Sequence, residues 1–143
     1  MPDGYFITSL VMSIIFHSIL PIVKIILYPY SLIGILLIIT GISLVFVTNS
    51  ILLKKRTSIK PFETPSVLIT YGPFKFSRNP IYLGMAIVLF GVETLLGSLS
   101  SFIFPILFVI IINRSFIPME ENNLEKLFGE KYLVYKTKVK RWI

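Results

Sequence analysis

The chain has 143 residues, about the length of one domain, and 55% of them are hydrophobic. A mean hydropathy of +0.83 is too high for a soluble domain of this size and excludes that class of protein. The absence of cysteine excludes disulfides, thiolate metal sites and cysteine nucleophiles.

The net charge of +7 is concentrated in two parts of the chain. Residues 54–78 and 114–141 contain 13 of the 14 lysines and arginines. Because basic residues beside membrane helices are retained on the cytoplasmic side, this asymmetry predicts that both stretches are cytoplasmic. It also predicts that the surplus positive charge meets anionic lipid headgroups and not nucleic acid.

Four long apolar runs predict an all-α, polytopic membrane protein. Residues 4–23, 25–53 and 94–113 carry no charge, and residues 80–97 contain a single charged residue, Glu93. About 20 apolar residues are needed to cross a bilayer as a helix. We therefore predict a single domain, residues 1–143, in the cell membrane, with both termini in the cytoplasm. The predicted transmembrane helices are residues 5–27, 30–53, 80–97 and 99–116.

Polar and small residues in the first two helices suggest particular roles. Pro21 is expected to kink the first helix, because proline removes a backbone donor. We expect His17, near mid-membrane, to be a neutral imidazole bonded to a backbone carbonyl. In the second helix, Gly34 and Gly41 are spaced for close contact with another helix. That contact is either within the chain or between two copies, so the oligomeric state stays open.

A polar loop, residues 54–79, separates the second and third helices and is long for a connection inside a helical bundle. It ends in Asn79-Pro80, which is typical of a helix start, with Asn as the N-cap and Pro at the first helical position. Free N–H groups at such an end attract anions. Arg78 adds a positive charge suited to a carboxylate or phosphate, although it could instead meet a lipid phosphate.

Glu93 is the one acidic residue within the predicted third helix. It lies about three turns beyond Tyr82, too far to share a ligand with that residue. We expect Glu93 to lie at the outer membrane interface. The alternative is that it provides a polar contact for a lipid substrate.

The tail, residues 118–143, is predicted to form a cytoplasmic amphipathic helix. Its apolar residues recur at three- and four-residue spacing, and Gly129 is expected to interrupt it. Glu120 and Glu121 follow Pro118 and therefore lie in the first turn. They either interact with the helix dipole or hold the ammonium or ribose hydroxyls of a ligand.

Two segments carry a resemblance to a known family. Residues 72–84 read Gly-Pro-Phe-Lys-Phe-Ser-Arg-Asn-Pro-Ile-Tyr-Leu-Gly, and residues 120–124 read Glu-Glu-Asn-Asn-Leu. Phe128-Gly129, Tyr132 and Tyr135 follow. Together they resemble the two-part signature of the isoprenylcysteine carboxyl methyltransferase and phospholipid methyltransferase superfamily. Its members are integral membrane enzymes that use S-adenosylmethionine. The resemblance extends over residues 62–143.

The resemblance implies that this chain moves a methyl group from S-adenosyl-L-methionine to a hydrophobic or lipid-linked, membrane-borne acceptor. It places the cofactor contacts on residues 66–69, which precede the loop motif, on residues of the loop motif itself, and on Glu120, the first carboxylate of the tail. With Arg78, whose charge suits the cofactor carboxylate, the predicted cofactor-binding residues are Ser66, Val67, Leu68, Ile69, Phe74, Arg78, Asn79, Pro80, Ile81, Tyr82 and Glu120. For an acceptor that must lose a proton, Glu121 and Tyr135 are the candidate catalytic bases. No metal site is predicted.

Departures from the family pattern leave the acceptor open. Asn79 replaces the histidine typical of the carboxyl methyltransferases and resembles the phospholipid enzymes. The arginine that holds the substrate carboxylate in the carboxyl methyltransferases would fall on Phe116 in this chain. The acceptor is therefore either an isoprenylcysteine-like carboxylate or a lipid amine.

Two other functions compete with methyl transfer. Membrane sterol reductases have a similar Arg-His-x-x-Tyr-x-Gly loop and bind NADPH, but they are far longer, and Glu120-Glu121 suits a phosphate-bearing cofactor poorly. A non-enzymatic membrane subunit that docks a partner through its tail is the third possibility. Cofactor binding discriminates among the three.

Overall fold

The computed structural model describes residues 2–20, 23–55 and 65–143, and this part of the chain is helical, without a β-strand. The predicted all-α fold is thereby confirmed for the described residues. Short 3₁₀ turns at Tyr30–Leu32, Gly72–Lys75 and Leu99–Phe102 lie between or before the longer helices. The α-helices of the described part are α1 (Pro2–Ile19), α2 (Ile33–Lys54), α3 (Pro80–Leu96), α4 (Ile103–Ile111), α5 (Ile117–Phe128) and α6 (Glu130–Lys138).

Helices α4 and α5 belong to one continuous helix, Leu99–Phe128, because a π-helical turn at Ile112–Phe116 joins them. The structure therefore corrects the predicted boundary between a helix ending near residue 116 and a separate tail helix from residue 118. Pro118 is accommodated because the π turn ahead of it already interrupts the regular hydrogen-bond ladder, so its missing N–H costs little. The predicted break at Gly129 is confirmed, since α5 ends at Phe128 and Gly129 has φ 51°.

Two of the described helices are long and apolar enough to cross a membrane, Tyr30–Lys54 and Leu99–Phe128. Helix α3 is apolar but shorter, with 17 residues. Large apolar side chains such as Leu36 and Phe46 face outward from α2, where a lipid environment would cover them. Four membrane spans and an amphipathic tail helix stay predictions.

The first helix is shorter than the predicted range of residues 5–27, since α1 ends at Ile19 and residues 23–29 are not helical. Pro21 lies outside the described residues, so the predicted kink there is not described either. A residue before proline is disfavoured in the helical conformation, which explains why the helix stops at this point. The chain then runs along the α3–α4 turn, where the Ile25 N–H donates to Gly97 O at 2.8 Å.

Helices α2 and α3 pack antiparallel at two glycine–glycine crossings. Gly34 faces Gly91, and Gly41 faces Gly84. A Cβ on Gly41 would lie 2.6 Å from Gly84 O, and a Cβ on Gly91 would lie 2.8 Å from Gly34 O, so no side chain fits at either crossing. The predicted close helix contact is confirmed, and both glycines make it within the chain.

The buried apolar side chains form two clusters. One lies between α1, α3 and the long helix Leu99–Phe128. The other joins α2 and α6 to the loop that precedes α3. The second cluster forms the apolar floor of the site described below. Its fully buried members are Leu52, Ile69, Phe74, Tyr132 and Tyr135.

Glu93 lies in the last turn of α3 and faces the interior of the helix bundle, while its expected position at the outer membrane interface stays a prediction. The residue is 0% exposed, and neither carboxylate oxygen has a hydrogen-bond partner in the described structure. The Nδ1 atom of His17 is likewise buried without a partner, where we expected an imidazole bonded to a backbone carbonyl. Unpaired buried polar atoms cost free energy, so these atoms do not stabilise the fold.

Replacing Glu93 with leucine is expected to raise the thermal stability of the protein. An apolar side chain of similar size needs no hydrogen-bond partner, and removing an unsatisfied buried polar group is worth about 1–3 kcal/mol. Thermal unfolding in detergent measures the change, with Thr94→Val on the same helix as the control. A lower melting temperature for Glu93→Leu would contradict the prediction and indicate that the carboxylate is paired in the folded protein.

Candidate functional site

A cleft opens where the loop before α3 meets α5 and α6. Its empty volume, open solvent included, is about 450 Å³. The loop motif and the tail motif, distant in the sequence, both contribute to its wall. The predicted site residues that line it are Val67, Leu68, Ile69, Phe74, Arg78, Asn79, Glu120, Glu121 and Tyr135.

Four of the predicted site residues do not line this cleft: Ser66, Pro80, Ile81 and Tyr82. Pro80 and Ile81 begin α3 and position the loop that precedes it. Tyr82 lies one turn into α3 and is buried against a carboxylate of the cleft wall, as described below. Residues 56–64 of the predicted cofactor loop lie outside the described residues.

A glycine turn directs the loop aromatic into the site. Gly72 has φ 64°, a left-handed conformation that favours glycine, and Pro73 follows it at the start of the 3₁₀ turn. The turn brings Phe74 inward, where it is 2% exposed and packs in the same cluster as Leu52 of α2. One apolar wall of the cleft is therefore a rigid aromatic ring.

Tyr135 holds this turn in place. Its hydroxyl donates to Phe74 O at 2.7 Å and is buried. Burial raises the pKa of Tyr135 to about 12, against a smaller opposing effect of the Arg78 charge. The phenol therefore stays protonated at neutral pH and is already bonded, so the structure favours a positioning role for Tyr135 over the predicted role of general base.

Arg78, Glu121 and Arg141 form an ion cluster in which Arg78 and Glu121 are buried and Arg141 is partly exposed. The Arg78 Nη2 donates to Glu121 Oε1 at 2.6 Å, and Arg141 donates to both Glu121 oxygens at 3.1 and 2.8 Å. The Arg78 Nη1 also donates to the carbonyls of Lys136 and Val139, each at 2.8 Å. A carboxylate that holds two guanidinium groups is a weak base. Glu121 therefore fits a positioning role better than the predicted catalytic one.

The C-terminal segment, residues 136–142, is bonded to the loop through side chains as well. Asn79 occupies the predicted N-cap position of α3, but its side chain makes no capping bond. Its Nδ2 instead donates to Arg141 O at 3.1 Å, and Ser77 Oγ donates to the same carbonyl at 3.0 Å. The Trp142 Nε1 donates to Asn113 Oδ1 at 3.2 Å. The segment is thus fixed against the loop before α3, and one N–H of the Asn79 amide is bonded to it.

Glu120 and Glu121, adjacent in the sequence, have different partners. Glu120 is 4% exposed and accepts a short hydrogen bond from the Tyr82 hydroxyl on α3. It makes no ion pair among the described residues. Glu120 is thus the carboxylate of the cleft wall that contacts no guanidinium group among the described residues.

The sequence of the chain matches a known protein family. Residues 30–131 match the phospholipid methyltransferase family, and this stretch contains the loop residues of the cleft and Glu120, Glu121 and Leu124, while Tyr132 and Tyr135 follow it. The chain belongs to the phospholipid methyltransferase family.

A relative of this phospholipid methyltransferase family member occurs in Haemophilus influenzae. It is an uncharacterized protein, 36% identical over 63 residues, which are 44% of this chain and the whole of that protein. Family membership implies a membrane methyltransferase, and with it a methyl donor.

Two features of this phospholipid methyltransferase family member were missed in the site predicted from the sequence. Arg141 was treated only as part of the basic tail, yet it bonds Glu121 and the loop. Tyr132 was noted in the tail motif as an aromatic that could cover a cation or an adenine face, but it was left out of the predicted site residues, and it lines the cleft with its hydroxyl unpaired. The helical spacing of Tyr132 from Tyr135 placed both on one face, but spacing alone does not indicate which hydroxyl is bonded.

Proposed function

We propose that the protein is an integral membrane methyltransferase that moves a methyl group from S-adenosylmethionine to a hydrophobic, membrane-borne acceptor. The observation that carries the proposal is the meeting of Phe74 and Asn79 of the loop motif with Glu120 of the tail motif in one cleft. These are residues to which the resemblance assigns cofactor contacts. The proposed fold keeps both termini and residues 54–78 in the cytoplasm.

The composition of the cleft wall fits this methyl donor. Its buried carboxylate, Glu120, suits the ammonium group or the ribose hydroxyls. The Phe74 ring and the aliphatic strip from Val67 to Ile69 offer an apolar surface to the adenine. When bound, S-adenosylmethionine supplies a methyl group already activated on a sulfonium, so the chain's own residues mainly have to align the two reactants.

The arrangement favours a lipid amine as the acceptor. Phe116, at the position where a substrate carboxylate would meet an arginine, packs its ring against Tyr5 at 5.5 Å between centroids and carries no charge. Glu121 and Tyr135 are both engaged in bonds that hold the cleft together. An amine that enters as the free base attacks the methyl group with its lone pair, and the methylated ammonium product releases its extra proton to water, so the transfer itself needs no free protein base.

The structure also supports placing the two basic stretches on one side of the membrane. Arg78 ends the first stretch and Arg141 ends the second, and both contact Glu121. Because one carboxylate holds both, residues 78 and 141 lie at the same end of the helix bundle. The excess of lysine and arginine assigns that end to the cytoplasm in the proposal.

Titration of S-adenosylhomocysteine into the purified protein in nanodiscs tests the proposal, with NADPH as a parallel ligand. We expect micromolar binding of S-adenosylhomocysteine only. Glu120→Gln keeps the size and the acceptor for Tyr82 but removes the charge, and should weaken binding at least tenfold, or about 1.4 kcal/mol. Glu125→Gln, exposed on the same helix, is the matched control.

Each alternative outcome has a distinct meaning. Binding of NADPH instead of S-adenosylhomocysteine would replace the methyltransferase by a reductase. Binding of neither ligand would favour a non-enzymatic membrane subunit. Unchanged affinity in Glu120→Gln, with wild-type binding intact, would remove Glu120 from the cofactor site but leave the proposed function standing.

A further inference from the structure

Three tyrosine hydroxyls lie at or behind the wall of the cleft, and they differ in their bonding. The Tyr82 hydroxyl donates to Glu120, and the Tyr135 hydroxyl donates to Phe74 O. Tyr132 is only 1% exposed, and its buried hydroxyl has no hydrogen-bond partner in the described structure. Buried tyrosine hydroxyls usually find a partner, so an unbonded one on a residue that lines the cleft indicates a partner that comes with the ligand.

The second unpaired donor among the residues that line the cleft belongs to Arg78. Its Nη1 and Nη2 atoms bond the C-terminal segment and Glu121, but its Nε is buried without a partner. Both Arg78 and Tyr132 line the cleft. The cleft wall therefore offers two unsatisfied donors, an O–H and an N–H, and a ligand that satisfies both must present acceptor oxygens.

The local charge selects an anionic acceptor. Arg78 and Arg141 together carry two positive charges against the single negative charge of Glu121, so the cluster retains one positive charge. Burial raises the pKa of Tyr132 above its ordinary value, and the Glu121 charge adds to this effect, so the hydroxyl remains a donor at neutral pH. A carboxylate satisfies two donors beside a net positive charge.

We propose that Tyr132 is a ligand-binding residue whose hydroxyl, together with Arg78 Nε, receives the carboxylate of the methyl donor's amino-acid part. This inference rests on the proposed function. It adds Tyr132 to the cofactor contacts predicted from the sequence and keeps Arg78 at the carboxylate, while Asn79 already donates one N–H to Arg141 O. With Glu120 at the ammonium, the amino-acid end of the donor faces α5 and α6, and the adenine faces the strip before the loop.

The test compares two ligands and two variants by titration calorimetry in nanodiscs. The ligands are S-adenosylhomocysteine and its decarboxylated analogue S-adenosyl-3-thiopropylamine, which keeps the amine. Tyr132→Phe should weaken the binding of S-adenosylhomocysteine about tenfold and leave the affinity for the analogue unchanged. Tyr71→Phe, an exposed phenol outside the cleft lining, should change neither affinity.

A stability measurement separates binding from folding. Because the Tyr132 hydroxyl bonds nothing in the ligand-free protein, Tyr132→Phe should not lower the melting temperature without ligand. Equal losses for both ligands, or unchanged affinity for S-adenosylhomocysteine, would overturn the carboxylate assignment while the proposed function stands. If the wild-type protein binds neither ligand, the proposed function itself fails, and this inference fails with it.

Discussion

Replacing Glu121 with alanine is expected to release the C-terminal segment from the loop and to abolish binding of S-adenosylhomocysteine. Glu121 is the common partner of Arg78 and Arg141 in the ion cluster. Arg78 is buried and would lose this carboxylate partner, and removing one member of a buried ion pair costs about 3–5 kcal/mol, whereas the Arg141 side chain is 37% exposed and would be solvated by water. The loss is expected to reach the ligand as well, since Arg78 and Tyr132 would no longer be held at the cleft.

Limited digestion with trypsin measures the release directly. The C-terminal segment contains Lys136, Lys138, Lys140 and Arg141 as cleavage sites, and mass spectrometry follows cleavage after each. Glu125→Ala is the matched control, because its pair with Lys136 is solvent-exposed at 3.2 Å, and such pairs contribute about 0–1 kcal/mol. Equal digestion rates for Glu121→Ala and Glu125→Ala would contradict the role given to the ion cluster.

Replacing Gly41 with leucine is expected to separate α2 from α3 and to prevent correct folding. A Cβ at this position would lie 2.6 Å from Gly84 O and 2.9 Å from Val88 N, and these backbone atoms cannot move without shifting the helix. Overpacking of a close contact costs about 1–3 kcal/mol where side chains can adjust, and more where backbone meets backbone. The cleft should be lost too, because Leu52 lies on α2 and Phe74 precedes α3.

Thermal unfolding and S-adenosylhomocysteine affinity, measured on the same preparation, check this prediction. Gly4→Leu is the matched control, because a Cβ on Gly4 would meet no atom within 4 Å. We expect a melting temperature close to that of the wild type for Gly4→Leu and little folded protein for Gly41→Leu. A Gly41→Leu protein with normal melting and normal affinity would mean that the crossing is looser than described.

Features that depend on a few neighbouring residues were predicted correctly. The start of α3 at Asn79-Pro80 follows from the turn preferences of those two residues, and the structure places it there. The glycines at positions 34 and 41 predicted a close helix contact, and each faces a glycine of α3.

The end of the first helix was predicted too late, because the apolar composition continues after Ile19 while the helical conformation does not.

Pairings between distant polar side chains were not predicted. Arg78 was expected to bind the cofactor carboxylate, but the bonds of its Nη1 and Nη2 atoms to Glu121 and the C-terminal segment were not predicted. The complete burial of Glu93, which results from the packing of α3 against its neighbours, was not predicted either. Both outcomes depend on which helix faces are turned toward each other, and local sequence does not contain that information.

The sequence by itself determined the helical, apolar character of the chain, the two motif segments and the family to which they belong. These properties follow from hydropathy, turn chemistry and residue order, which act over a few positions. Only the tertiary structure decided which polar atoms of the site are bonded within the protein and which remain open, such as the Tyr132 hydroxyl. The physical reason is that a hydrogen bond needs its donor and acceptor about 3 Å apart. In this protein, the packing of α5, α6 and the C-terminal segment against the loop sets those distances.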